Sequence, residues 1–334
     1  VKDESSVAFE KVVDRLLSSP AFGERWGRHW LDVARYGEST GPSRNIPYPH
    51  AWKYRDYVID AVNADVPFDR FVKEQVAGDL LPASTPAERD RLATATGFLA
   101  LGVKDVNQRF KVRFDMDNVD EQIDVVTRSV LGLTVSCARC HDHKFDPVPT
   151  SDYSALAGIF TSTDNCAGVK NKMGGGGLAY YVPDMLVKLA SAPPPVDPAK
   201  VEQLKAEVEK TKKAWDAIRG TPEGLAKRPN GQPVQRQFRV KYETAQAELL
   251  AVTDPAARGH AVHGVRDGKE IADTAIRVRG EAEKLGPVVP RGFLTAFAVP
   301  GTSKVPATES GRRELADWLV SANNPLASRV YANR

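Results

Sequence analysis

Residues 120–141 read Asp-Glu-Gln-Ile-Asp-Val-Val-Thr-Arg-Ser-Val-Leu-Gly-Leu-Thr-Val-Ser-Cys-Ala-Arg-Cys-His. Apolar residues recur in this stretch three and four positions apart, a spacing typical of an amphipathic helix. They are Ile123, Val126, Val130 and Leu133. The stretch ends in the pentapeptide 137–141, Cys-Ala-Arg-Cys-His. We therefore predict a helix that leads directly into a segment bearing two thiols and an imidazole.

The pentapeptide has the pattern C-x-x-C-H, which is the attachment signature of a c-type haem. Two thiols three residues apart, on one helical turn or in a tight loop, can each bond one vinyl group of the porphyrin. The histidine that follows can then reach the iron as an axial ligand. We predict that Cys137 and Cys140 hold haem c covalently and that His141 is its proximal iron ligand.

The same residues are also compatible with a redox dithiol, a zinc site or a chance match. A redox dithiol is expected near a βαβ pattern, and the preceding helix does not provide one. A zinc site could use His143 as a fourth ligand, but ligands at 137, 140, 141 and 143 are crowded compared with the usual two separated pairs. A pattern this short also occurs by chance in a chain of 334 residues.

A second iron ligand would determine whether the haem iron is closed or open to small molecules. His29 is the first candidate, because it shares a helical stripe with Trp26, Trp30 and Val33 that could line a haem pocket. A structural histidine between the two tryptophans is the alternative. Met116, in a polar stretch just before the attachment helix, is the second candidate. The further candidates are His50, His143, Met173 and Met185, of which His143 is too close to His141 to bind the opposite face.

Polar residues beside the pentapeptide are candidates for contacts with the haem propionates or with His141. Arg139 lies between the thiols, and arginine suits carboxylate partners. His143 and Lys144 follow His141 closely, between Asp142 and Asp146. The alternative for these last residues is a purely structural role in shaping the turn before Pro147.

Composition limits the class of protein. The chain has 334 residues, is 42% hydrophobic and 27% charged, and carries a net charge of +3. Its basic residues are scattered, which argues against nucleic acid as a partner. No apolar run approaches the roughly 20 residues of a membrane span, and the first residues do not form a signal peptide. The third cysteine, Cys166, lies outside the pentapeptide, and we predict no function for it.

The expected fold class is mainly α, and the chain is expected to divide into segments of different character. An irregular helical, cytochrome c-like domain carries the C-x-x-C-H pentapeptide, and a linker rich in Gly and Pro, with Gly174 to Gly177, follows it. A helical hairpin comes next, then a small β region with short strands at 261–265, 275–278 and 293–299. The last segment starts a second domain that is truncated. The predicted bounds are 1–165, 166–197, 198–253, 254–300 and 301–334.

Several longer motifs resemble the planctomycete cytochrome-related family, a large group of secreted bacterial proteins of unknown function. Residues 23–36 read Gly-Glu-Arg-Trp-Gly-Arg-His-Trp-Leu-Asp-Val-Ala-Arg-Tyr, and residues 75–82 read Gln-Val-Ala-Gly-Asp-Leu-Leu-Pro. The strongest likeness is residues 131–147, from Leu-Gly-Leu-Thr-Val through the pentapeptide to Asp-His-Lys-Phe-Asp-Pro. Residues 311–319 resemble the opening of a companion domain that usually follows. The resemblance implies a longer polypeptide in both directions.

The leading functional hypothesis is a c-type haem protein that transfers electrons in the periplasm or elsewhere outside the cytoplasm. Its expected partners are a redox protein or a small-molecule electron donor or acceptor, and the sequence does not predict an oligomeric state. One alternative is a haem-dependent oxidoreductase, acting for example on carbohydrate-derived substrates. Another is a non-catalytic assembly module whose Cys/His cluster holds a structural metal. No Ser-His-Asp, P-loop or dinucleotide-binding pattern is present.

Overall fold

The computed structural model describes residues 5–41, 44–171 and 182–334. The chain forms two compact units, one of Val1–Ala190 with Val262–Arg334 and one of Ser191–Ala261. Most regular structure is helical, and the strands form small two-stranded sheets. The predicted mainly α fold class, with a small amount of β structure, is confirmed.

Helices make up most of the first unit and follow the predicted apolar periodicity. The helix Pro86–Ala95 shows how local sequence sets a boundary, since Thr85 caps it by accepting the Glu88 N–H at 3.1 Å and Pro86 opens its first turn. The helices are α1 (Ala8–Leu17), α2 (Ala21–Val33), α3 (Ala51–Asn63), α4 (Phe68–Ala77), α5 (Pro86–Ala95), α6 (Gly97–Ala100), α7 (Lys111–Val126) and α8 (Thr150–Thr161). Two more, α12 (Arg312–Leu319) and α13 (Ala327–Asn333), come from the end of the chain.

Trp30 on α2 contacts residues of α4 and α6. Its indole N–H donates to Gln75 Oε1 at 2.9 Å, and its ring stacks on Phe98 with centroids 5.6 Å apart. Phe71 meets the same ring edge-on at 4.9 Å. A tryptophan buried this way needs a partner for its N–H, which Gln75 provides. Within the stripe predicted on α2, Trp30 therefore packs against the core.

Short strands pair segments that are far apart in sequence. β1 (Thr163–Cys166) pairs antiparallel with β4 (Gly264–Asp267), and β5 (Thr274–Arg277) pairs antiparallel with β6 (Leu285–Val289). Two further strands, β2 (Val187–Lys188) and β3 (Ala261–Val262), have two residues each. Strand β6 was not predicted, because Pro287 interrupts its apolar pattern.

The predicted strand at 293–299 is wrong. These residues form a turn of 3₁₀ helix at Thr295–Phe297. The Asp152 carboxylate accepts both the Thr295 N–H at 2.7 Å and the Thr295 hydroxyl at 2.9 Å. Phe293 stacks on Trp318 with ring centroids 5.4 Å apart. The apolar side chains of this run therefore pack into the core from an irregular segment, anchored by a buried carboxylate.

The second unit consists of α9 (Pro198–Ile218), the short α10 (Pro222–Leu225) and α11 (Gln235–Thr253). Asp197 caps α9 by accepting the Ala199 N–H at 2.9 Å. The long helices α9 and α11 pack against each other, and Leu204 and Ala245 are their buried residues. Exposed pairs such as Lys205 with Glu202 cover the outer surface of α9. Such pairs contribute little to stability.

Part of the predicted linker, including Met173 and Gly174 to Gly177, lies outside the described residues. Across the described ranges, no helix is both long enough and apolar enough to cross a bilayer.

Candidate functional site

The pentapeptide begins on a short 3₁₀ helix, Val135–Arg139, that follows α7, and Cys140 is the residue directly after this helix. Helix α7 runs into a π-helical turn, Thr127–Leu131, and Gly132 then takes φ +67°, a left-handed conformation that favours glycine. Val135 and Ala138 are completely buried and anchor the 3₁₀ helix to the core. Cys137 lies within the helix, and Cys140 continues it in a right-handed helical conformation. Because side chains at i and i+3 are aligned on a 3₁₀ turn, this spacing favours one side of the turn for both thiols.

Both thiols are exposed and neither forms a disulfide. Gly280, in the turn between β5 and β6, packs directly against the second thiol. A Cβ built on Gly280 would overlap Cys140 Sγ, and Gly280 also has φ +74°. A residue 140 positions later in the chain therefore leaves room for the thiol of Cys140.

His141 is exposed and has one ring nitrogen engaged. Its Nδ1 lies 2.7 Å from the carbonyl oxygen of Asp142. A carbonyl only accepts hydrogen bonds, so Nδ1 carries the proton and Nε2 keeps its lone pair. Among the described residues, no group forms a hydrogen bond with Nε2. The imidazole is thus held in the tautomer that metal-binding histidines use, with its second nitrogen available.

His143 has a structural role in the loop after the pentapeptide. Its Nδ1 accepts the backbone N–H of Phe145 at 3.2 Å and of Asp146 at 2.7 Å, and its Nε2 lies 3.0 Å from Thr134 Oγ1. Both ring nitrogens are therefore occupied within the loop. The structural alternative raised for His143 agrees with these contacts.

Arg139 pairs with carboxylates of α7. Its Nη1 donates to Asp117 Oδ1 at 2.9 Å and lies 3.8 Å from Asp120 Oδ2. The hydroxyl of Tyr153 donates to Asp120 Oδ1 at 2.9 Å. Burial raises the pKa of Asp120, and the Tyr153 hydrogen bond and the Arg139 charge oppose this effect. Arg139 thus fastens the 3₁₀ helix to α7.

Lys144 and Phe145 form the exposed tip of the loop. The Phe145 side chain is 82% exposed, and Lys144 Nζ lies 5.0 Å from the centroid of its ring. This exposed ring lies four residues after His141, so the exposed thiols, the imidazole and Phe145 belong to one accessible segment of the chain.

Residues 1–165 match the family model PSCyt2, described as a protein of unknown function (DUF1549). These residues are a PSCyt2 domain. The domain is planctomycete cytochrome-related, as the sequence motifs predicted, and it contains α1 to α8 and the whole pentapeptide. No curated protein and no solved structure matches the chain.

The PSCyt2 domain places the two candidates for the second iron ligand in cavities apart from the pentapeptide. His29 is exposed on α2, with its ring 5.3 Å from that of Trp26, and lines an aromatic cavity of about 450 Å³. Met116 was predicted in a polar stretch before the attachment helix, but it is buried inside α7 and lines another cavity of about 690 Å³. Neither lining includes any residue of 137–141. The ligand roles of His29 and Met116 stay predictions.

Cys137, Cys140 and His141 share one short segment of chain with Arg139, His143 and Lys144. Within the part of the chain that the structure describes, no three His, Cys, Asp or Glu side chains converge as a metal-binding group. Cys166 is buried away from these residues, and burial raises the pKa of its thiol to about 11.

Sequence reasoning missed the residues of the PSCyt2 domain that support the pentapeptide. Asp117 and Asp120 are three residues apart on α7, a spacing that puts both on one face toward a basic partner. The predicted helix began only at Asp120, so this pairing was not recognised. No sequence signal connects Thr134 with His143, or Gly280 with Cys140, since each contact arises from folding.

Proposed function

We propose that the PSCyt2 domain holds haem c through Cys137 and Cys140, with His141 Nε2 as axial ligand, and that the protein transfers electrons. One observation supports the proposal: two exposed thiols lie three residues apart at the end of a 3₁₀ helix, and no described group forms a hydrogen bond with Nε2 of the next imidazole. Each thiol would add across a vinyl group. A C–S bond forms, and the thiol hydrogen goes to the neighbouring vinyl carbon, so no atom is lost.

The arrangement of side chains favours haem over structural zinc. Four zinc ligands must converge on one point, whereas haem thiols bond porphyrin carbons, and only the histidine must reach the metal. The described residues provide no converging group of three, and both nitrogens of His143 are occupied. This geometry suits a covalently tethered cofactor with a single protein nitrogen on its metal.

Bound haem would supply a one-electron iron couple. The chain's own residues present the tether on an exposed face, beside Lys144 and Phe145, where a redox protein or small electron carrier can approach. Because covalent haem attachment takes place beyond the inner membrane, the proposal includes an extracytoplasmic, periplasmic location.

A haem-dependent oxidoreductase is the second candidate function. It is favoured by the placement of His29 and Met116, which line cavities without any residue of the pentapeptide. An iron that receives no second ligand from these side chains would be open to an exogenous one.

The test uses protein expressed together with the haem-maturation machinery. Its absorption spectrum is recorded in the oxidised and in the dithionite-reduced state. Wild type and the control C166A should show haem bands, and C137A/C140A should lack them. Binding of carbon monoxide by the reduced protein would favour the oxidoreductase, and its absence would favour electron transfer. A wild-type protein without haem bands contradicts both.

A further inference from the structure

A cavity of about 690 Å³ in the first unit is separate from the pentapeptide, since its lining contains none of Cys137, Cys140 and His141. Its walls come from α7, the end of α8, strand β1 and the segments around β4 and β5. This volume is typical of sites for small organic ligands.

Lys104 is the most unusual residue of this lining. It is 4% exposed, in the segment between α6 and α7, and its backbone N–H donates to Thr40 O at 2.9 Å. The nearby carboxylate of Glu121 pairs with Arg35, whose Nε lies 3.1 Å from Glu121 Oε2. Among the described residues, no carboxylate forms an ion pair with the Lys104 ammonium. Burial, with the charge of Arg35, lowers the pKa of Lys104 to about 7.

Two polar side chains of the lining, Asn165 and Arg277, have buried atoms without hydrogen-bond partners among the described residues. Both the amide nitrogen and the amide oxygen of Asn165 are shielded from solvent, and neither has a hydrogen-bond partner among the described residues. The same is true of Arg277 Nε. Buried polar groups are nearly always hydrogen-bonded, so three such atoms on two side chains around one cavity indicate a polar ligand.

The charge of the lining indicates the sign of that ligand. Lys111 pairs with Asp115, and Arg266 Nε lies 3.2 Å from Asp164 Oδ2. These two pairs leave four basic side chains facing one acidic side chain. The basic residues are Lys104, Lys170, Lys269 and Arg277, and the acidic residue is Glu270. The remaining positive charge favours an anion.

Apolar side chains complete the lining. They favour a ligand with an apolar part over a purely inorganic anion. Phe160, Val119 and Met116 are 1%, 5% and 4% exposed and line the same cavity. A small oxyanion alone would leave this apolar surface uncovered. We propose that the cavity binds an organic acid whose carboxylate meets Lys104, whose polar atoms pair with Asn165 and Arg277, and whose apolar body covers Met116, Val119 and Phe160.

This proposal is independent of haem, and calorimetry on the full 334-residue chain tests it. The probes are 3-phenylpropionate and its neutral analogue 3-phenylpropan-1-ol, both at pH 6. Since a hydrogen bond to a charged group is worth about 1.5 kcal/mol or more, wild type should bind the acid at least about tenfold more tightly than the alcohol. K104M should abolish the preference. K304M, which removes an exposed lysine outside the lining, should keep it.

Methionine methyl NMR locates the binding. The chain has three methionines, and Met116 and Met185 both line the cavity. The acid should shift both of their methyl signals, assigned with M116L and M185L. Should K104M fail to fold, N165L carries the same test, because it removes both unpartnered amide atoms at similar volume and should weaken acid binding. Equal binding of acid and alcohol by wild type, or acid binding without these methyl shifts, overturns the proposal.

Discussion

At the residue scale, His141 and His143 show how two histidines only two positions apart acquire different roles. A carbonyl fixes the His141 proton on Nδ1 and leaves Nε2 available, whereas two backbone N–H groups and the Thr134 hydroxyl occupy both nitrogens of His143. The sequence alone predicts His141 as the proximal ligand and leaves His143 with several possible roles. Their hydrogen bonds separate them into a candidate ligand and a support of the loop.

The support role predicts a loss of stability in H143A. Two backbone N–H groups would lose their acceptor, which costs about 1–3 kcal/mol. Urea unfolding of the protein without haem measures this. The exposed H29A is the control and should change the unfolding free energy by less than about 0.5 kcal/mol. Equal effects of the two variants would show that the contacts of His143 contribute nothing.

His263 predicts a pH dependence of stability. It is buried, its Nδ1 donates to Ala167 O at 3.0 Å and its Nε2 accepts the His50 N–H at 3.2 Å. Burial lowers its pKa to about 3. The unfolded chain therefore binds one more proton than the folded chain between pH 6.5 and 3, so stability falls as pH falls in this window.

The lowered pKa of His263 reduces the free energy of unfolding by about 2 kcal/mol at pH 5 relative to pH 7. H263N should therefore lose less stability than wild type between pH 7 and pH 5, as measured by urea unfolding at both values. Identical losses would mean that His263 is protonated without cost in the folded protein.

At the element scale, the predicted helices appear where apolar residues repeat at helical spacing, as in α3 and α8. The failures occur where a distant contact decides the structure. Residues 293–299 are apolar enough for a strand, but Asp152 and Trp318 hold them in a 3₁₀ turn and its flanks. Strand β6 exists because it pairs with β5, despite Pro287. The local periodicity of apolar residues gives no information about either of these long-range contacts.

The turn between β5 and β6 predicts an effect of G280A on the pentapeptide. Alanine at φ +74° is strained, and its Cβ would overlap Cys140 Sγ. G301A is the matched control, because Gly301 has φ +81° and nothing within 4 Å of an added Cβ. Both variants should lose roughly 1 kcal/mol from backbone strain.

G280A should lose more than G301A and should also displace the Cys140 thiol. Its rate of alkylation at Cys140, followed by peptide mass spectrometry, should differ from that of wild type, whereas G301A should react like wild type. Unchanged alkylation in G280A would mean that the turn does not contact the thiol.

At the scale of the whole molecule, Arg312 joins distant parts of the first unit. It is completely buried on α12, and its guanidinium pairs with Asp79, at 2.6 and 2.8 Å, and with Asp267 at 2.8 Å. Asp79 follows α4 and Asp267 ends β4. Sequence patterns placed α12 in a following domain, and that boundary stays a prediction. The contacts place α12 in one compact unit with α4.

R312M is expected to be strongly destabilising, because it leaves two carboxylates in a largely buried site without their cation. The expected loss is about 3–5 kcal/mol. The neighbouring R313M removes a half-exposed arginine and should change stability by less than about 1 kcal/mol. Thermal and urea unfolding of both variants provide the comparison, and similar losses would contradict a central role of Arg312.

The central claim is that the thiols of Cys137 and Cys140 tether a haem whose iron His141 binds. The most direct measurement is the intact mass of the denatured protein after expression with the haem-maturation machinery. We expect the mass of the chain plus one haem, retained in denaturant, for wild type and C166A, and the mass of the chain alone for C137A/C140A. Wild-type protein with only the mass of its amino acids would contradict the account.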